Sequence, residues 1–335
     1  MALPLPDVLP MSPYFRELIW GGRQLQTLYG KDLPDGKSIG ESFEVSACQG
    51  QESVVATGRL AGRSLQSLVK EYQGELVGEA IWGHYGSLFP LLIKLIDAQD
   101  DLSIQVHPDD AYARARGLGL QGKMEAWYVL HSDGGRMIYG LREGVAAAEL
   151  EMAVATGQVE EVVKSFEVKR GDVIFTPPGT VHALGRGVMI YEVQQASDLT
   201  FRLYDYDRPG LDGKPRELHL KAALDVICFG GELPPPTSWR QLPGAGDTGA
   251  TLVQSEYFQL DLFCPVEHSS RHRADGVFLA LTLIKGEATV RGRQEEYHLG
   301  PGGTVLVPAC REVEIERCGA VGLEYLIASP TLQQE

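Results

Sequence analysis

The chain has 335 residues, 44% of them hydrophobic, and its 45 acidic against 30 basic side chains give a formal charge of −15. That length is enough for two domains or one large domain with a satellite, and the acidic balance argues against nucleic acid or an anionic membrane surface as partner. Five cysteines, an odd number with no Cys-x-x-Cys pair, suggest neither a disulfide framework nor a thiolate zinc site and fit reduced thiols in the cytoplasm.

In chain order, the opening MALPLPDVLPMSPYF has no basic segment and its apolar run is broken by proline, so it does not read as a signal peptide. Residues 13–60 alternate β-rich runs such as Ser42-Phe43-Glu44-Val45-Ser46 with Gly and Pro punctuation, which predicts antiparallel strands. A helical insertion is expected over about residues 60–85, where Leu65, Leu68, Val69, Tyr72, Leu76 and Ile81 recur at helical spacing behind Ser64 as N-cap. Residues 88–96 are the most apolar window, but Lys94 interrupts it and it is far too short to span a bilayer.

Residues 101–130 organise the rest. Strand alternation in Leu102-Ser103-Ile104-Gln105-Val106-His107 sends Ser103, Gln105 and His107 to one face, and the run from Lys123 to Trp127 sends Lys123, Glu125 and Trp127 to one face. These are either an incipient metal site or the solvent faces of two half-buried antiparallel strands. Between them, Gly117-Leu-Gly-Leu-Gln-Gly122 matches a dinucleotide fingerprint only formally: a helix-like run precedes it and a strand-like run follows, the reverse of what that fold requires, so it is a turn re-entering the sheet.

Further helical insertions are expected at 143–166 and at 215–229, the latter with Pro215 at its start; strands are expected at 188–195 and 199–205, where Thr200, Arg202 and Tyr204 share a face. Residues 233–250 have the only linker-like composition, and 251–335 read as a second small jelly roll. Its Gly302-Gly-Thr-Val-Leu-Val-Pro308 echoes Gly171-Asp-Val-Ile-Phe-Thr-Pro-Pro178, but four residues beyond Pro178 stands His182, and four beyond Pro308 stands Glu312. The second copy keeps the turn and lacks the histidine, so a structural role is expected.

The Gly-Asp turn, strand, Pro-Gly turn and His182 match the second motif of the cupin superfamily. QVHP, GKMEAWYVL, PPGTVHALGRG and YEVQQASDLTFRLYDYDR, in that order, together with Ile19-Trp-Gly-Gly22 and Gly40-Glu-Ser-Phe-Glu-Val-Ser46, resemble the type I phosphomannose isomerases in their short bacterial form. The likeness covers roughly residues 13–230 and is looser beyond. Met124 departs from the small polar residue expected of bacterial relatives. The resemblance implies a mainly β fold of two jelly-roll (cupin) barrels: a metal-binding catalytic domain at 1–232, the linker at 233–250, and a metal-free barrel at 251–335.

It also implies interconversion of mannose 6-phosphate and fructose 6-phosphate through an enediol, with one Zn(II) held by Gln105, His107, Glu125 and His182. Ligand type alone accepts Mn(II), Co(II) or Fe(II) as well. Arg202 aligns with the family's active-site arginine, which stabilises the enediolate or orients substrate. Glu192 aligns with the acidic residue ten positions earlier and is the candidate base. Lys123 or water held by the metal are alternative proton carriers. Ser103, Lys123 and Arg208 are the candidates for the phosphate, although Arg208 beside Asp205 and Asp207 equally suits a turn. Trp20 reads as core, and His131, His219, His268, His272 and His298 sit in no comparable motif. The implied partner is a small sugar phosphate. Two other readings compete: an Fe(II) cupin dioxygenase, against which Lys123, Glu192 and Arg202 speak, and a non-catalytic sugar-phosphate-binding cupin.

Overall fold

The computed structural model describes residues 3–332. Two antiparallel barrels make up the molecule, each closed by a seven-stranded sheet facing a smaller one. In the first, the large sheet runs Thr237–Ser238, Asp172–Thr176, Glu125–Ser132, Val188–Gln195, Leu91–Ala98, Ile39–Val45, Tyr14–Gly22. Opposite it lies a five-stranded sheet of Phe201–Tyr204, Ile104–Val106, His182–Leu184, Arg136–Leu141 and Val163–Glu167. The second barrel pairs a large sheet built on Phe258–Phe263, Leu279–Lys285, Thr304–Val307 and Glu324–Pro330 with a four-stranded sheet that includes Ser269–Arg273 and Glu312–Cys318.

The two large sheets are packed through one apolar core. Strand Leu91–Ala98 is buried on both faces, so it reads as a continuous apolar run rather than an alternation. Leu91, Ile93 and Leu95 join a cluster with Leu260, Leu262, Leu306, Leu326 and Ala328 of the second barrel, and the rings of Phe89 and Phe278 stack there at 4.5 Å. The opposite face of the same strand sends Lys94, Ile96 and Ala98 into the first barrel, where Ile96 and Ala98 pack with Trp127, Val129, Ile190 and Tyr139. A lysine in that alternation is therefore an interior residue of the first barrel.

The expected insertion at 60–85 is three short helices, Leu65–Tyr72, Gly74–Val77 and Glu79–Tyr85. Ser64 caps the first by accepting from the Ser67 amide at 3.3 Å, and Leu65, Leu68, Val69 and Tyr72 form its buried stripe. Residues 117–122 do lie between a helix, Asp110–Ala115, and the strand Glu125–Ser132.

Elsewhere long-range pairing overrides the local pattern. Residues 163–167, expected within a helical insertion, form an edge strand against Arg136–Leu141, and only Ala147–Thr156 and one 3-10 turn are helical there. Pro215 starts no helix: it bridges Pro209 in a hairpin-like loop, and the helix runs Leu220–Val226. The chain also crosses between barrels. Leu9–Ser12 pairs with Thr304–Val307 of the second barrel, while Thr237–Ser238, from the linker-like stretch, extends the first by pairing with Asp172 and Val173. Periodicity reports which face of a strand is apolar, not which distant strand it will meet.

Candidate metal centre and active site

The polar faces expected from alternation meet inside the first barrel. His182 pairs directly with Gln105 on one sheet, and on the facing sheet Glu125 lies beside Gln194 and Trp127 beside Glu192. Two glycines set the approach. A Cβ on Gly122 would lie 2.4 Å from the Pro108 carbonyl oxygen, so only glycine lets this backbone close in, and the Lys123 amide then donates to that carbonyl at 2.9 Å. Lys123 is thereby aimed at the His107 neighbourhood although the strand itself begins only at Glu125. At φ +83, Gly179 turns the chain toward His182 where a Cβ would meet Cys228 Sγ at 2.6 Å.

His107, Glu125 and His182 are buried, and their donor atoms lie within 4.8 Å of one another. The Nδ1 of His107 faces the Leu199 carbonyl at 2.8 Å and that of His182 faces the Thr180 carbonyl at 2.9 Å. A carbonyl only accepts, so each Nδ1 carries the proton and each Nε2 presents a lone pair. Those lone pairs face Glu125 oxygens at 3.5 and 3.1 Å, and neither the His107 Nε2 nor either Glu125 oxygen has a hydrogen-bond donor among the described residues. Buried acceptors pointed at one another repel unless a cation sits between them, so these three residues fit a metal. Gln105 is at the same place, with its amide nitrogen as built 3.4 Å from His182 Nε2. Rotating the amide, whose O and N are interchangeable in shape, would offer its oxygen instead.

The electrostatics suit a metal as well. Burial first, and Lys123 next, hold the His107 imidazole well below the usual histidine range and hence neutral. Burial alone would raise Glu125, but the Lys123 ammonium overrides it and keeps the carboxyl well below its ordinary range. Lys123 Nζ stands 3.3 Å from Glu125 Oε2.

Glu192 sits deeper in the same interior. Trp127 Nε1 donates to its Oε2 at 3.0 Å, and the Lys94 ammonium forms an ion pair with its Oε1 at 3.1 Å. Burial raises its pKa above the ordinary glutamate value against the opposing pull of Lys94. Lys94 in turn reaches Glu41 at 3.4 Å, Glu41 pairs with Arg16 at 3.2 Å, and Arg16 with Asp198 at 3.7 Å. Sequence reasoning recorded Lys94 only as an interruption and missed Arg16, Glu41 and Asp198. The available signal was a lone charge inside a doubly buried strand, which must be paired.

Arg202 lies opposite Gln105 on the neighbouring strand, with Nε donating to Ser103 Oγ at 3.2 Å and Nη1 to the Glu217 carbonyl at 2.8 Å. Together with Arg16, Trp20, Lys94, Lys123, His182, Glu192 and Arg216 it lines a cavity of about 210 Å³. Trp20 is both buried and a cavity wall. Arg208 is not in that lining; it is bonded to Asp205 at 3.1 and 3.0 Å. A larger hollow of about 320 Å³ elsewhere, with Arg136, Arg142 and Arg186 on its walls, lacks the convergent donor set.

An antiparallel double barrel with a buried histidine–carboxylate–histidine group in one barrel defines a metal-site cupin. Residues 8–143 match the family description "phosphomannose isomerase type I, catalytic domain". The mannose-6-phosphate isomerase of Streptococcus mutans is 36% identical over 91% of this chain and 93% of its own. One from Bacillus subtilis is also 36% identical, over 90% of this chain and 93% of its own. A crystal structure of mannose 6-phosphate isomerase from Bacillus subtilis superposes with a TM-score of 0.81 at 32% identity, covering 96% of this chain and 99% of that one. The chain belongs to the type I phosphomannose isomerase family.

Proposed function

We propose that this protein interconverts mannose 6-phosphate and fructose 6-phosphate, with the cavity of the first barrel as its active site. The observation that supports it most is the juxtaposition, in one barrel interior, of the donor-less Glu125 oxygens and His107 Nε2 with the buried carboxylate of Glu192. The first group calls for a cation, and the second is a carboxylate placed to take a proton from a bound substrate.

His107, Glu125, His182 and Gln105 would hold the metal; Zn(II) suits this nitrogen- and oxygen-rich set, which also takes other divalent ions. When bound, the ion supplies Lewis-acid polarisation of a substrate oxygen. Glu192 removes the proton from the carbon beside the carbonyl and returns it to the neighbouring carbon, using Oε1 while Trp127 fixes Oε2. Its raised pKa makes it a stronger base than a solvated carboxylate and leaves it able to release the proton again. Lys94 keeps Glu192 in register and bears the compensating charge. Arg202 faces the developing enediolate, with Ser103 orienting its Nε, and Lys123 and Ser103 contact the substrate's polar groups. The reading assigns catalysis to the unit expected at 1–232 and a supporting role to the second barrel. The five cysteines, all free, support a reducing, cytoplasmic setting.

A coupled assay for fructose 6-phosphate formed from mannose 6-phosphate, before and after chelation and after metal return, tests this. Turnover that chelation abolishes and metal restores is expected. No turnover by the metal-replete protein overturns the proposal.

A further inference from the structure

On the outer side of the five-stranded sheet lies the hollow of about 320 Å³ that the scheme above leaves unused, and its walls share only Leu184 with the catalytic cavity. Strand alternation sends Met137 into the barrel and Ile138 outward against the helices, so Arg136, one step before Met137, also faces outward. A returning turn brings a second arginine to the same place. The Gly185 amide donates to the Arg136 carbonyl at 2.8 Å, an approach that a Cβ at Gly185 would block by colliding with that oxygen. Asp101 then accepts from the Arg186 amide at 2.8 Å and holds Arg186 on the wall. Arg142 enters from the end of the Arg136–Leu141 strand, with Nε donating to the Val163 carbonyl at 3.1 Å.

These three arginines differ from most others in the chain. Elsewhere a carboxylate neutralises the guanidinium: Glu295 pairs with Arg59, Glu71 with Arg63, Glu324 with Arg170 and Asp7 with Arg311. Arg136, Arg142 and Arg186 make no ion pair among the described residues, and their Nη groups have no acceptor there. Three unneutralised cations around one hollow, in a chain of net charge −15, make a local positive site that an anion would relieve. The same wall carries Glu160 and the Ser165 hydroxyl, both exposed and neither hydrogen-bonded among the described residues. A carboxylate there repels a bare inorganic anion but accepts from a hydroxyl. The hollow therefore offers complementary chemistry to a molecule that is anionic at one end and hydroxylated along the rest.

We propose that this outer hollow is a second small-molecule site that binds a phosphorylated polyol or sugar, with the phosphate on Arg136, Arg142 and Arg186 and the hydroxyls on Glu160 and Ser165. It lies on the opposite face of the sheet from the metal group: His182 faces the barrel interior, and the next residue, Ala183, packs on the outer side and lines the hollow. At about 320 Å³ against about 210 Å³, the hollow is larger than the catalytic cavity, so a ligand of the substrate's size fits. The assignment does not depend on the isomerase reading.

The test is calorimetric titration of the full metal-replete chain with sorbitol 6-phosphate, which has hydroxyls and a phosphate but no carbonyl to isomerise. Two binding events per chain are expected. The double variant Arg136→Gln/Arg186→Gln should weaken one of them by about tenfold or more, because two charge-assisted contacts are lost. Both positions are exposed and outside the catalytic cavity, so turnover of mannose 6-phosphate should stay within about twofold of wild type. Glu160→Gln should strengthen inorganic phosphate at the outer site by relieving repulsion, and weaken sorbitol 6-phosphate relative to it. A single binding event in the wild type, or two events that the folded double variant leaves unaltered, overturns the proposal. Equal response of both ligands to Glu160→Gln overturns the hydroxylated class of ligand. Should the double variant fail to fold, Arg186→Gln alone carries the comparison. A wild-type protein without turnover defeats the isomerase reading, while the titration still decides the outer site.

Discussion

The two barrels share an architecture and differ in what fills them. In the second, Val8, Leu281, Leu283, Val290, Val305, Val307, Val313, Ile315 and Ile327 close the interior as an apolar core. In the first, apolar packing occupies one part of the interior, and the rest is taken by Lys94, Ser103, His107, Lys123, Glu125, His182 and Glu192, all buried. Burying that many polar groups costs stability unless they are paired, and the pairing here is incomplete where a ligand would complete it. The same turn precedes both copies of the Gly-rich motif. After Pro178 it delivers His182 to the interior, whereas after Pro308 it leads to Glu312, which is exposed. One barrel therefore keeps a partly polar interior and the other an apolar one.

The largest expected effect falls on the metal group. His107→Ala or Glu125→Ala should lower kcat by about a thousandfold or more, the scale of removing a metal or oxyanion stabiliser, with one equivalent of divalent metal lost by elemental analysis. Retained activity and metal would put the centre elsewhere. Next, Glu192→Gln should lower kcat by about a hundred- to ten-thousandfold. Glu192 is active as the ionised base, so wild-type activity should fall as pH drops through its pKa. Burial raises that pKa, so the acid limb should lie above a solvated glutamate's value of about 4.3, and Glu192→Gln should abolish the limb. An acid limb unchanged in the variant would assign the base to another group.

In the second barrel the expectation reverses. Leu281→Ala opens a cavity in an apolar core and should cost about 2–5 kcal/mol in denaturant unfolding, while the folded fraction keeps its kcat. A matching loss of kcat would show that the second barrel shapes the site. The smallest effect is expected from Glu312→His, which restores a histidine after the second turn. Glu312 is exposed, so stability should change by less than about 0.5 kcal/mol and the metal content should stay at one per chain.

Much of the site was legible because strand geometry is local. Period-2 alternation alone put Ser103, Gln105 and His107 on one face and Glu125 with Trp127 on another, and the structure turns both faces to one interior. Ser64 as a cap and a helical insertion behind it were likewise readable from short-range pattern, but the sequence suggested one helix or a pair where the structure has three short ones. Lys94 was not, since its meaning depends on Glu192 and Glu41, one nearly a hundred residues downstream and the other half as far upstream. Residues 163–167 look helical in isolation and become a strand because Arg136–Leu141 offers an open edge.

The sequence by itself put Ser103, Gln105 and His107 on one strand face and Glu125 with Trp127 on another, and left the second Gly-rich turn without a histidine, because each is written in residue type and short-range spacing; the paired barrels and the ligand set were expected through the family resemblance. Tertiary structure alone decided that Leu9–Ser12 completes the second barrel, that Lys94 joins the active-site interior, and that Arg216 rather than Arg208 faces the cavity. Those outcomes depend on which remote strands and loops meet, and the energy that selects them is released only when the partners are side by side.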